Sequence, residues 1–215
     1  MIIESMTVNE IVAEIKEDFK DIIRKSEFKQ PKVDKVILKS RMFPIYVHSE
    51  IISKRKNKWL VLWEGRNVQY IGKKSLKTYI CIYEKPNGRY AAMPIYYNKK
   101  FTCIVFIPHF FARYTKRCNV NRTGIDLIRK FFQQNPSFSY SYKKQPTSNN
   151  KFNIHVYGKS KEGSALGLKL NGIEDIVLFK TFISEEMYKG KQIEDFAEKE
   201  EIRKEYDSEI TDLNK

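Results

Sequence analysis

Between residues 33 and 107 the chain is a succession of short β-prone runs broken by turn signals, and the last run leads directly into a proline. The runs are 33–39, 43–48, 58–64, 77–84, 89–97 and 101–107. β-branched and aromatic side chains suit a pleated, half-buried surface, so segments of this kind pair into a sheet. Lys85-Pro86-Asn87-Gly88 and Asn98-Lys99-Lys100 are turn-like, which predicts an antiparallel meander for the last three runs. In 58–63 and 77–83 apolar side chains fall on both faces, so these strands are expected to be central or covered. Pro108 then fits the first turn of a helix, where its missing N–H does no harm. A strand hands over to a helix at this point.

The flanking segments complete an α+β pattern. Thr7-Val8-Asn9-Glu10 is a capping box, and Ile11, Ile15, Phe19, Ile22 and Ile23 recur at helical spacing up to Phe28, with Pro31 soon after. The outer face of this 7–28 helix reads as acidic early (Glu10, Glu14, Glu17, Asp18, Asp21) and basic late (Arg24, Lys25), in keeping with the helix dipole. Further helices are expected over 109–117 and 122–135, the second opened by Thr123 with Asp126 and carrying Ile125, Ile128, Phe131 and Phe132 inward. Strands are expected at 152–158, 164–170 and 175–183, then a short turn capped by Ser184. The fold class is therefore α+β: a mainly antiparallel, twisted sheet with two short central helices and an N-terminal amphipathic helix packed on it. Residues 1–193 read as a single domain, with the 7–28 helix, a β-rich part at 33–107 and a helix–helix–strands part at 108–183. Residues 194–215 read as a charged acidic helix or tail.

Charge is distributed unevenly along the chain. Residues 29–193 carry a net +22, whereas residues 1–28 carry −3 and residues 194–215 carry −5. Between Glu84 and Glu162 the sole acidic residue is Asp126. Such a field concentrates polyanions, and nucleic acid is the commonest polyanionic partner of a basic domain. There is no apolar run of about 18 residues or more, and no basic helix with a long apolar stripe, so a membrane partner is not expected. Met1 to Met6 has neither a basic nor an apolar signal region, which predicts a cytoplasmic protein. Cys81, Cys103 and Cys118 lack C-x-x-C spacing and read as reduced thiols. His48, His109 and His155 have no paired-ligand spacing, so neither a metal nor another cofactor is expected.

At roughly 100° per residue, His109, Arg113, Arg117 and Lys116 share one arc of the helix after Pro108, and Phe110, Phe111, Tyr114 and Cys118 share the opposite one. Arg presents a planar fork to phosphate oxygens, and His titrates nearest neutrality, so this face suits a phosphodiester. The same pattern also fits the solvated face of any basic amphipathic helix. The segment 137–150 reads as a long basic loop in which Phe138, Tyr140 and Tyr142 alternate with serines ahead of Lys143 and Lys144. Exposed aromatics beside Lys suit stacking on unpaired bases, and the same alternation equally fits an edge strand. Lys116, Arg122, Lys143, Lys144, Tyr140 and Tyr142 are the nucleic-acid-binding candidates. RNA is the more favoured partner over DNA.

The order His-x-x-x-Arg-x-x-x-Arg on a helix, a second helix from Thr123-Gly124-Ile125 to Asn135-Pro136, and a final strand Val177-Leu178-Phe179-Lys180-Thr181-Phe182 resembles the RelE/BrnT-like small proteins, closest to their His-x-x-x-Arg relatives. The resemblance spans about residues 101–183. It implies a compact α+β fold and the activity of metal-independent ribonuclease toxins that pair with an acidic antitoxin. Under it, His109 is the base or acid, Arg113 and Arg117 clamp the phosphate with help from Lys116, Thr181 bonds a phosphate oxygen or orients the His, and His155 is the second acid/base. The function expected is a basic RNA-binding protein acting as a toxin-type endoribonuclease. The alternatives are a non-catalytic nucleic-acid-binding or mobile-element accessory protein, and an interaction module for an acidic partner.

Overall fold

A computed structural model describes residues 1–97, 99–136, 138–146, 152–170 and 175–187, so the acidic segment expected at 194–215 lies outside the described residues. The first element, α1 (Val8–Lys39), starts with the reciprocal cap read from the sequence: Thr7 Oγ1 accepts from the Glu10 N–H and Glu10 Oε2 accepts from the Thr7 N–H (2.7 Å). It does not stop near Phe28. The helix continues through Pro31 for two more turns, so 33–39 is helix and the strand expected there is absent. Pro31 removes one backbone hydrogen bond. Tertiary anchors outweigh that loss. Trp63 Nε1 donates to Gln30 Oε1 (3.0 Å), the Gly72 N–H donates to Asp34 Oδ1 (3.0 Å), and Val33 and Ile37 continue the buried stripe begun by Ile11, Ile15 and Ile22.

The strands are β1 (Ile45–Ile52), β2 (Lys58–Gly65), β3 (Leu76–Lys85), β4 (Gly88–Tyr97), β5 (Lys100–Phe106), β6 (Ser139–Pro146), β7 (Phe152–Ser160), β8 (Gly163–Leu170) and β9 (Asp175–Ser184). Two further helices, α2 (Pro108–Arg117) and α3 (Gly124–Gln134), lie between β5 and β6. Together they make an α+β chain with a nine-stranded sheet in the order β1-β2-β3-β4-β5-β9-β8-β7-β6. β1 to β5 pair successively as antiparallel neighbours, and so do β6 with β7 and β7 with β8. The β3–β4 hairpin turns on Gly88, whose φ of +121° is a conformation L side chains rarely adopt and whose Cα faces Pro108 closely.

The chain divides into two compact units, Met1–Pro108 with Leu170–Leu178 and His109–Lys169 with Phe179–Lys215. In the first, α1 lies on one face of the sheet. Its Ile11, Ile15, Phe19 and Ile22 pack with Trp59, Val61, Trp63, Cys81, Cys103 and Val105. Leu60, Leu62, Ile80 and Ile82, which alternate with that set, are buried as well, as the two-faced apolar pattern predicts. Glu14 and Asp18, expected on the outer face of α1, are instead buried. Asp18 Oδ2 accepts from Trp59 Nε1 (2.9 Å) and Asn57 Nδ2 (2.9 Å), and Glu14 Oε1 accepts from Arg55 Nε (2.9 Å). The 53–58 loop is anchored to α1 through Arg55 and Asn57 and through the Lys54 N–H, which donates to Asp21 Oδ2 (2.9 Å).

In the second unit an aromatic cluster forms the core. Phe131 of α3 makes edge contacts with Phe110 (5.1 Å) and Tyr114 (5.1 Å) of α2, and Phe182 of β9 meets Tyr114 at 5.1 Å. Thr123 occupies the N-cap of α3 but makes no side-chain capping bond, unlike the expected capping box. The 137–150 segment is not a loop throughout, because 139–146 is β6 at the sheet edge; residues 147–150 lie outside the described residues. Among the described residues no helix is long and apolar enough to cross a membrane.

Candidate nucleic-acid interface

Pro108 starts α2 directly after β5, which sets the phase of everything on the helix. Phe110, Phe111 and Tyr114 turn into the aromatic core, and His109 and Lys116 are exposed. Burial pushes the Tyr114 phenol well above its ordinary range, and its hydrogen bond to Glu162 adds to the effect. On the open face Arg113 Nε donates to His109 Nε2 (3.1 Å), the i,i+4 contact that helical spacing predicts.

Arg117 departs from expectation. Its guanidinium Nη1 donates to the main-chain carbonyl of Phe182, and burial, together with the neighbouring charge of Arg113, lowers the affinity of the group for its proton. It is half-buried and ties α2 to β9, whereas periodicity alone places it on the open basic arc.

The remaining candidates form a second group on β6 and β7. Register places Lys143 directly opposite His155, and His155 opposite Leu168, on one face. Tyr140, Tyr142 and Lys144 alternate onto the other face. There Tyr140 and Tyr142 meet edge-on at 5.6 Å, and Lys169 Nζ of β8 lies 5.0 Å from the Tyr142 ring centre. Tyr142, Lys143 and Lys144 are exposed, and Phe138 packs on Phe179 (5.1 Å). The structure thus bonds Arg113 to His109 and sets Lys143 opposite His155 in strand register. Among the described residues no hydrogen bond or ion pair joins His155 or Thr181 to His109, Arg113 or Arg117. Arg122 is exposed in the α2–α3 connection.

Sequence reasoning missed Lys169, which alternation along β8 could have placed, and Glu162, which lies in the short connection between β7 and β8. Glu162 Oε2 accepts from the Tyr114 hydroxyl (2.6 Å) and from Asn135 Nδ2 (2.9 Å). No sequence signal pairs these three residues.

Cys81 and Cys103 are buried free thiols, both pushed up by burial, and Cys118 is half-buried and pushed up to about 11 by burial with Glu162 and Glu186 adding. All three are therefore protonated at neutral pH. Among the described residues no group of three or more His, Cys, Asp or Glu is placed to hold a metal ion. No protein-family model, curated protein or solved structure matches the chain.

Proposed function

We propose that the protein is a cytoplasmic, basic RNA-binding protein, and that the His109–Arg113 pair of α2 makes it a metal-independent endoribonuclease of the RelE/BrnT-like toxin type. The observation that carries the binding part is charge. From Lys85 to Lys161 the sole carboxylate is Asp126, and it is already paired with Arg129 at 2.8 Å. The stretch includes the exposed Lys116, Arg122, Lys143 and Lys144. Phosphates are the natural counterions of such a surface, and Tyr140 and Tyr142 beside Lys144 and Lys169 add rings on which unpaired bases stack.

Cleavage would begin when a phosphate draws the Arg113 guanidinium to itself, which frees His109 Nε2. That nitrogen takes the proton of the ribose 2′-hydroxyl, the 2′-oxygen forms its bond to phosphorus, and the bond to the 5′-oxygen breaks with a proton supplied from solvent or from a second group. Arg113 and Lys116 stabilise charge on the non-bridging oxygens. His155 and Thr181 enter only if bound RNA bridges from α2 to β7 and β9. An acidic antitoxin-like protein is the partner this reading implies.

The inward commitment of Arg117 favours a second reading, non-catalytic binding of RNA through the same face. The two separate in one assay, with wild type and His109→Ala incubated with a labelled unstructured RNA in EDTA. The expected result is cleavage by the wild type alone, leaving 2′,3′-cyclic phosphate ends. Retarded but intact RNA with both proteins overturns the enzyme and leaves the binding module.

A further inference from the structure

A cavity of about 580 Å³ opens at the junction of α2 and α3, lined by Cys118, Asn119, Asn121, Arg122, Lys130 and Glu162 among others. One wall of it is built with unusual care. Asn135 is 3 % exposed, and it accepts the Glu162 N–H on Oδ1 (3.0 Å) while donating through Nδ2 to Glu162 Oε2 (2.9 Å) and to the Phe131 carbonyl (2.9 Å). Tyr114 donates to the same carboxylate oxygen (2.6 Å). Main chain and side chain of Glu162 are therefore both clamped, with Oε2 saturated and Oε1 left without a hydrogen bond among the described residues. The same cavity is lined by two cations, Arg122 and Lys130, neither of which has a carboxylate partner among the described residues.

A ligand that suits this lining carries both an anion for Arg122 and Lys130 and an N–H donor for Glu162 Oε1. Inorganic phosphate satisfies the cations but meets repulsion from the carboxylate, and an unphosphorylated nucleoside leaves the cations unanswered. A free amino acid has both charges but fills little of the volume, which is of the size that holds a drug-sized molecule. A nucleoside phosphate has an anion, a ring N–H or exocyclic amine and the required bulk, and the side-chain amides of Asn119 and Asn121 can donate to and accept from a base edge. We propose that this cavity is a ribonucleotide subsite, in which Arg122 and Lys130 hold the phosphate and Glu162 reads an N–H of the base. The choice of ligand rests on the RNA-binding reading above. The Cys118 thiol stays protonated and forms an uncharged part of the wall, so the site binds and carries out no covalent step.

The test is calorimetric titration of the full chain with the ribonucleoside 5′-monophosphates, with inorganic phosphate and glutamate as comparison ligands, on wild type, Arg122→Gln, Lys130→Gln and Glu162→Gln. At least one monophosphate is expected to bind more tightly than either comparison ligand. Each variant should lose about tenfold, the equivalent of one charge-assisted hydrogen bond. The side chains of Arg122 and Lys130 make no hydrogen bond or ion pair among the described residues, so their variants decide the matter if Glu162→Gln unfolds. Monophosphates that bind no better than phosphate or glutamate overturn the subsite, as does affinity unchanged in Arg122→Gln and Lys130→Gln. RNA retardation measured on the same proteins separates this inference from the function it rests on. Wild type that retards RNA but binds no monophosphate better than phosphate or glutamate loses the subsite alone, and wild type that binds a monophosphate without retarding RNA loses the RNA reading and keeps the subsite.

Discussion

Glu14 occupies a helix position that periodicity assigns to solvent, yet its side chain is 8 % exposed. The hydrogen bond from Arg55 holds its carboxyl down to about 2, against the opposing effect of burial, and Asn57 and the amino group of Met1 help. A carboxylate whose pKa falls on folding contributes stability that is fully present above its unfolded value and is lost as pH drops through the folded one. Unfolding midpoints followed from pH 6 down to pH 2 should therefore fall steeply below about pH 4.5, the region in which the unfolded carboxyl takes up its proton. Glu14→Gln should flatten that descent while costing about 1–2 kcal/mol at pH 7, because Arg55 is half-exposed and can be rehydrated. An unchanged acid limb in the variant would show that other carboxylates set it.

At the scale of the element, α1 shows how anchoring overrides local signals. Pro31 and the β-branched pair Val33 and Val36 argue for a break, and a reading from propensity alone turns 33–39 into a strand. Burial of Val33 and Ile37, with Gln30 and Asp34 hydrogen-bonded to Trp63 and Gly72, keeps the helix running. Ile37 lies so close to Gly65 that a Cβ there would stand 3.1 Å from it. Ile37→Ala should lower the unfolding free energy by about 2–4 kcal/mol in a denaturant titration, the usual cost of emptying a packed site. A loss of only a few tenths would mean that the last turns of α1 are not docked. β6 makes the complementary point. Its Ser-Tyr-Ser-Tyr alternation fits either a loop or an edge strand, and only pairing with β7 selects the strand and with it the face that carries Tyr140, Tyr142 and Lys144.

For the whole molecule the dominant quantity is net charge, +14 over the chain and far more positive in its middle. Binding to single-stranded RNA should weaken with salt, by about 0.7 in the logarithm of the affinity per decade of salt for each phosphate neutralised. The double variant Lys143→Gln, Lys144→Gln should reduce that slope by about 1.4 in filter-binding titrations if both lysines touch phosphate. A slope equal to that of the wild type would remove the β6 edge from the interface and leave α2 and the α2–α3 connection to carry it.

Local chemistry dictates, and the chain shows before it folds, the reciprocal cap at Thr7, the succession of strands with both faces apolar, the helix begun by Pro108, the division of α2 into aromatic and basic arcs, and the near absence of carboxylates from 85 to 161. It also brought His109 and Arg113 together, because four residues along a helix are neighbours whatever the fold. Pairings between distant segments were decided by the tertiary structure alone. Arg117 turns inward because Phe182 of β9 presents a carbonyl to it, and Glu14 and Asp18 because Arg55, Asn57 and Trp59 reach them from β2 and the loop before it. Glu162 becomes a fixed carboxylate only where Tyr114 and Asn135 converge on it. None of these contacts has a period or a spacing, since each joins residues that meet only when strands take their register and helices dock, and burial then sets which polar groups must find a partner.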